Sequence, residues 1–215
     1  MVFIFLRSLV YNVLFYLTLA FWLIVGIPTF LMPRSGILTV ARYWACSSIW
    51  LLRVVCNIRV EYRGLEKIPK GPLIVASKHQ SMWETFALLQ MARRAGEQVR
   101  RGRQLIIFPE GTRTPVGAAP HYKTGVAQIY VDCGVACVPV ALNSGLFWPR
   151  RTFMRYPGTL VVEFLDPLPP GLSRREFIAQ ISTVIEDATN RLVEVGRREQ
   201  ALLFDRAPGS ASVKA

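Results

Sequence analysis

Histidine and cysteine are scarce in this chain, with two and four residues among 215. The cysteines are Cys46, Cys56, Cys133 and Cys137; none are spaced CxxC, and the tightest pair is the CxxxC of Cys133 and Cys137. So few nitrogen and sulfur ligands, in no zinc-type spacing, predict no metal site. The cysteines read instead as small buried apolar residues of a reducing compartment. No GxSxG elbow occurs, so nothing points to a serine nucleophile on a strand-to-helix turn. Acidic residues are few as well: 14 Asp and Glu against 26 Lys and Arg, a net charge of +12. Charge of either sign is missing altogether between Ser8 and Met32.

That uncharged run, SLVYNVLFYLTLAFWLIVGIPTFLM, is about 25 residues long, enough to cross a hydrocarbon core of ~30 Å. A signal peptide has a shorter apolar region followed by a small-residue cleavage site. Neither feature is present, and Phe15, Tyr16, Phe21 and Trp22 suit retained contact with lipid. A second apolar segment runs from about Val40 to Val55. Arg42 and Arg53 lie three helical turns apart on one face of it, so it reads as an interfacial helix or a tilted partner of the first. The basic residues that follow Met32 predict a cytoplasmic side under the positive-inside rule. A basic chain suits nucleic acid, an anionic bilayer or anionic substrates. The arginines are spread rather than clustered and the N-terminus is apolar, so membrane lipids are the expected partner and nucleic acid is not.

The remainder predicts an α/β fold with a mainly parallel central sheet flanked by helices, behind the N-terminal membrane-anchoring helical segment. Residues 1–58 are expected to anchor, 59–200 to form the enzyme domain, and 201–215 to be a disordered tail. Strands are expected after Arg59 and at Leu73–Ala76, Leu105–Phe108, Ala136–Leu142 and Leu160–Leu165. Ser81 with Glu84, and Ser173 with Glu176, have the spacing of capping boxes. The helix opened by Ser81 is expected to continue to about Arg101, making a strand–helix–strand unit. Thr124–Cys133 reads as a further helix. Phe177, Ile181, Val184, Ile185, Ala188 and Leu192 give the helix after Ser173 an apolar stripe.

Two constellations carry chemistry. His79-Gln80-Ser81-Met82-Trp83-Glu84 follows the LIVA strand directly, where a strand end meets a helix start and α/β folds place ligands. An imidazole in that turn can act as a general base if a carboxylate holds its tautomer, and Glu84 in the first helical turn can reach it. The capping box alone also explains Glu84. Phe108-Pro109-Glu110-Gly111-Thr112-Arg113 follows the next strand, with Pro109 and Gly111 placed for a type I turn. Arg113 suits a phosphate, which a guanidinium grips with two hydrogen bonds.

Together HQSMWE and FPEGTR resemble the motifs of the glycerolipid acyltransferase family, with Lys123 and Gly125 of HYKTG and the run Val138–Leu142 as further matches. The short chain with an apolar N-terminus is similar to the bacterial 1-acylglycerol-3-phosphate acyltransferases. The resemblance implies transfer of a fatty acyl group from acyl-CoA or acyl carrier protein to the sn-2 hydroxyl of lysophosphatidic acid, in phospholipid synthesis at a bacterial inner membrane. It implies His79 and Glu84 as the catalytic pair, Glu110, Gly111, Thr112 and Arg113 as the substrate-binding segment, and no cofactor beyond the acyl donor. Two departures stand out. Glu84 replaces the family's usual aspartate, and only 25 residues lie between Glu84 and Glu110. The family places a further strand–helix unit there, so the two halves look spliced near Gln90. A relative that binds lysolipid or acyl thioester without turnover is the alternative reading.

Overall fold

The structure, a computed structural model, describes residues 1–31, 34–84 and 104–205. Helix α1 spans Val2–Gly26 and runs on as a 3-10 turn over Ile27–Leu31. Helix α2, Arg34–Cys56, returns antiparallel to it. The pairing is marked by Trp22, whose ring stacks on Tyr43 and whose Nε1 donates to Ser47 Oγ at 3.2 Å. At the other end Cys56 Sγ lies 3.9 Å from the Arg7 carbonyl oxygen. The hairpin therefore brings the start of α1 and the end of α2 to the same place, and Arg34 lies at its far end. The expectation that the basic residues after Met32 mark the side of the enzyme domain loses its basis, because α2 carries the chain back.

Val2–Leu31 is long and apolar enough to cross a membrane, by length and composition. Its outer half is largely bare: Phe30 and Leu31 are 80% and 95% exposed. Its inner half gives one face to the protein core, through Ser8, Tyr11 and Phe15. Tyr11 and Phe15 meet Trp148 edge-on and share a core cluster with Leu52, Val138 and Val140. Burial of one such aromatic side chain stabilises by roughly 1.5–3 kcal/mol. Ser8 Oγ accepts from the Arg155 backbone N–H at 2.8 Å, and the Arg155 guanidinium lies 4.1 Å over the Trp148 ring. The α1–α2 hairpin is thus built into the domain that follows it.

Among the described residues five strands form one sheet, in the order β1-β5-β4-β2-β3. They are β1 Ile58–Arg63, β2 Leu73–Ser77, β3 Gln104–Ile107, β4 Cys137–Leu142 and β5 Gly158–Phe164. β1 and β5, β2 and β3, and β2 and β4 run parallel; β4 and β5 are antiparallel. The central strands β2 and β4 are buried along their whole length because both faces are covered, as expected of parallel strands inside a sheet, whereas edge strand β1 alternates buried or half-buried residues with exposed ones. Along β4, Val138 and Val140 face the α1–α2 hairpin while Cys137 and Ala141 face the other layer, the two-residue period of a strand. That layer is α3, Thr124–Cys133, and α5, Arg174–Asp205. A one-turn helix α4, Ser144–Phe147, follows β4 directly.

The capping box at Ser173 forms as expected: its N–H donates to Glu176 Oε2 at 2.9 Å and its Oγ accepts from the Glu176 N–H at 3.3 Å. Helix α5 runs through to Asp205, so 201–205 belong to it and not to a tail; residues 206–215 lie outside the described residues. So does the course of the helix opened by Ser81 beyond Glu84, and with it the splice near Gln90. Cys56 and Cys137 are buried as anticipated, but Cys133 is exposed at the end of α3, where it takes a solvent-facing position of an amphipathic helix.

Candidate active site

The C-terminal ends of β2, β3 and β4 converge, and each delivers one part of the site. β2 continues into Lys78, whose N–H donates to the Val140 carbonyl at 3.0 Å, and then into His79. β3 ends in a β-turn closed by the Gly111 N–H on the Phe108 carbonyl at 2.9 Å. Pro109 takes the second position of that turn and Gly111 the fourth, as the sequence predicts, and Gly111 has φ +66°. The Thr114 N–H donates to the His79 carbonyl at 2.7 Å, so the two motifs are stitched backbone to backbone. The Phe108 ring stacks on the imidazole of His79.

Glu84 is 1% exposed, and a buried carboxylate is costly unless hydrogen-bonded. Its oxygens accept from the Ser81 N–H, at 3.0 Å to each, and from the Gln80 N–H at 3.3 Å. The Ser81 Oγ in turn accepts from the Trp83 N–H at 2.9 Å. Ser144, at the start of α4, donates its hydroxyl to Glu84 Oε1. Glu84 Oε2 also lies 3.3 Å from His79 Nδ1. Capping and facing the imidazole are therefore done by the same carboxylate. Nδ1 is within ion-pair distance but off the line of a hydrogen bond. The ring is 13% exposed, and its Nε2 has no hydrogen bond to a described residue.

The FPEGTR residues divide. Glu110 is buried and turned inward: Oε1 lies 2.9 Å from Lys78 Nζ and Oε2 accepts from the His79 N–H at 3.3 Å. It supports His79 and presents no carboxylate to a substrate. Gly111 and Thr112 are exposed, and Arg113 is half-buried with no ion pair among the described residues. Its carbonyl accepts from Arg150 Nη1 at 2.7 Å. Lys78 is 3% exposed and also reaches Glu186 Oε1 on α5 at 2.6 Å. Tyr122, of the HYKTG segment, donates to the same oxygen at 2.9 Å. Burial, then the charge of Glu186, push the Tyr122 phenol above its ordinary range. Sequence reasoning missed Ser144, Lys78, Tyr122 and Glu186. The signal for Lys78 was present, since a lysine at the end of a fully apolar strand must have partners inside.

A family model described as Acyltransferase matches residues 87–143, which include Phe108–Arg113 and begin just after Glu84. A 1-acyl-sn-glycerol-3-phosphate acyltransferase of Pseudomonas aeruginosa is 34% identical over 199 residues, covering 70% of this chain and 77% of that protein. The chain belongs to the 1-acyl-sn-glycerol-3-phosphate acyltransferase family. A chloroplastic member of Arabidopsis thaliana is 23% identical to this acyltransferase over 146 residues, 48% of this chain and 40% of that protein. The crystal structure of the 1-acyl-sn-glycerophosphate (LPA) acyltransferase PlsC of Thermotoga maritima shares its fold, with a TM-score of 0.68 at 23% identity over 87% of this chain and 97% of that one.

The alignments also show a shortfall. The Pseudomonas match runs over 199 residues, yet 70% of these 215 is about 150, so about 50 positions of the relative have no counterpart here. The Arabidopsis match runs over 146 against about 103, a shortfall of about 40.

Proposed function

We propose that this acyltransferase moves a fatty acyl group from a thioester, acyl-CoA or acyl carrier protein, to the sn-2 hydroxyl of 1-acylglycerol-3-phosphate, giving phosphatidic acid for phospholipid synthesis. The observation that carries the reading is His79 set between buried Glu84 on its Nδ1 side and the Phe108 ring on its face, with no described residue hydrogen-bonded to Nε2. Nε2 accepts the hydroxyl proton as the oxygen attacks the thioester carbonyl. The new C–O ester bond forms, the C–S bond breaks, and the leaving thiolate takes the proton back from the imidazolium. Glu84 orients the ring and stabilises that imidazolium, as the acid of a triad does, but the acceptor itself is the nucleophile. Arg113 pairs with the acceptor phosphate beside exposed Gly111 and Thr112.

The bare outer half of the α1–α2 hairpin sits in the bilayer, where acceptor and product reside, with the sheet domain on the cytoplasmic side of the inner membrane, where both donors are found. The test is acyl transfer by the purified full chain in anionic vesicles, with each donor paired in turn with lysophosphatidic acid, lysophosphatidylcholine and glycerol 3-phosphate. Product from lysophosphatidic acid alone is the expected result. The shortfall of about 50 residues favours one rival, a relative that binds without turnover. Saturable lysophosphatidic acid binding with no product from either donor would establish that rival.

A further inference from the structure

Glu186, on α5, lies more than a hundred residues from the HQSMWE motif and belongs to neither motif. It is nonetheless one bond away from the catalytic turn. Its Oε1 is 2.6 Å from Lys78 Nζ, Lys78 Nζ is 2.9 Å from Glu110 Oε1, and Glu110 Oε2 accepts from the His79 N–H at 3.3 Å. All three side chains are buried or nearly so, at 3%, 1% and 18% exposure for Lys78, Glu110 and Glu186.

The charge count of this cluster is the informative feature. One ammonium and one carboxylate would satisfy each other, and a pair is the least expensive way to bury a lysine. Here, among the described residues, two carboxylates share one ammonium, a surplus of one negative charge in the cluster. Glu84, on the other side of the imidazole, adds a further buried carboxylate. The cation nearest in sequence on the opposing loop, Arg113, is half-buried and open to solvent screening. A structural pair gives no reason to keep the surplus; a site where positive charge develops does.

We propose that Glu186 is a positioning residue for His79: through Lys78 and Glu110 it holds the turn that aims the imidazole, and its surplus charge favours the protonated ring formed during transfer. The inference rests on His79 being the base. Tyr122 keeps its proton in this setting, being pushed upward by burial and by Glu186, so it contributes a neutral hydrogen bond and no charge.

The test compares E186Q, Y122F and H79A in the full chain, reading kcat and KM for lysophosphatidic acid alongside the thermal midpoint. E186Q keeps the shape and loses the charge. One charge at this range, at protein-like dielectric, predicts a fall in kcat of about tenfold or more with KM within twofold. Y122F keeps the charge and should stay within threefold of wild type in kcat. Unchanged kcat in E186Q beside an inactive H79A overturns this inference alone. So does a Y122F loss as large as that of E186Q, or an E186Q loss that follows the folded fraction, since either assigns the network to folding. Should E186Q fail to fold, E186D decides: restored folding with kcat near wild type supports the charge, and restored folding with kcat lowered tenfold or more overturns it. An active H79A instead removes the base reading, and this inference with it.

Discussion

Phe108 lies flat against His79, with ring centroids 4.0 Å apart and planes 25° from parallel. The first residue of one motif thereby fixes the plane of the catalytic candidate in the other. Stacking holds the imidazole with its Nδ1 side toward Glu84. Replacing Phe108 with Leu keeps apolar bulk but releases the ring. Misplacement of a catalytic group by a fraction of an ångström costs heavily, so kcat is expected to fall about tenfold while the fold persists. Steady-state kinetics beside a thermal melt checks this.

Glu84 caps a helix start and faces the imidazole, and the Gln variant separates the two. An amide can still accept from the Ser81 N–H, so folding should survive with a modestly lower midpoint. It cannot stabilise an imidazolium as a carboxylate does, so kcat is expected to drop by about two to four orders of magnitude. A rate loss that merely tracks the folded fraction would leave the cap as the residue's sole role.

Ser144 donates its hydroxyl to Glu84 from a different strand end. Its Ala variant leaves a buried carboxylate short of one donor, at a cost of roughly 1.5–3 kcal/mol. Denaturant titration measures it, and activity should fall alongside because Glu84 is freed to move.

Gly158 opens β5 with φ +140°, and a Cβ there would lie 2.5 Å from Phe147 Cε1. Both the backbone and the core resist a side chain. Gly158→Ala is expected to destabilise by at least about 2 kcal/mol, read from the urea midpoint.

Burial pushes the Cys137 thiol up to about 12 from an ordinary value of 9.0. The folded state holds this proton where the unfolded chain would release it. Stability from this group is therefore full below about pH 9 and declines as pH rises toward 12. The Cys137→Ala variant should show a flatter decline above pH 9 in denaturant titrations. At pH 8 a thiol reagent should modify exposed Cys133 and spare Cys137 until the protein unfolds.

Much of this arrangement is legible from local pattern. The strand at Leu73, the Pro109–Gly111 turn, the capping box at Ser173 and the Glu84 half of the one at Ser81 follow from spacings of two to four residues, which is the range over which backbone hydrogen bonds act. What spacing does not reveal is the support behind the site. Ser144 is 60 residues from Glu84 and Glu186 is 108 from Lys78, and only the strand order brings them together. The inward turn of Glu110 is hidden for the same reason: nothing beside it in sequence announces Lys78. Glu199 near the end of helix α5 accepts from the Thr159 N–H and hydroxyl, 40 residues away in sequence, a tie to β5 that spacing along the helix does not reveal.

The central claim is that His79 takes the acceptor proton. The most direct measurement is the rate of phosphatidic acid formation by purified His79→Ala protein, with folding verified by its melt. The account predicts a folded protein that still binds lysophosphatidic acid, with kcat reduced at least about a hundredfold, the scale of a lost general base. A folded His79→Ala protein with wild-type kcat would contradict it.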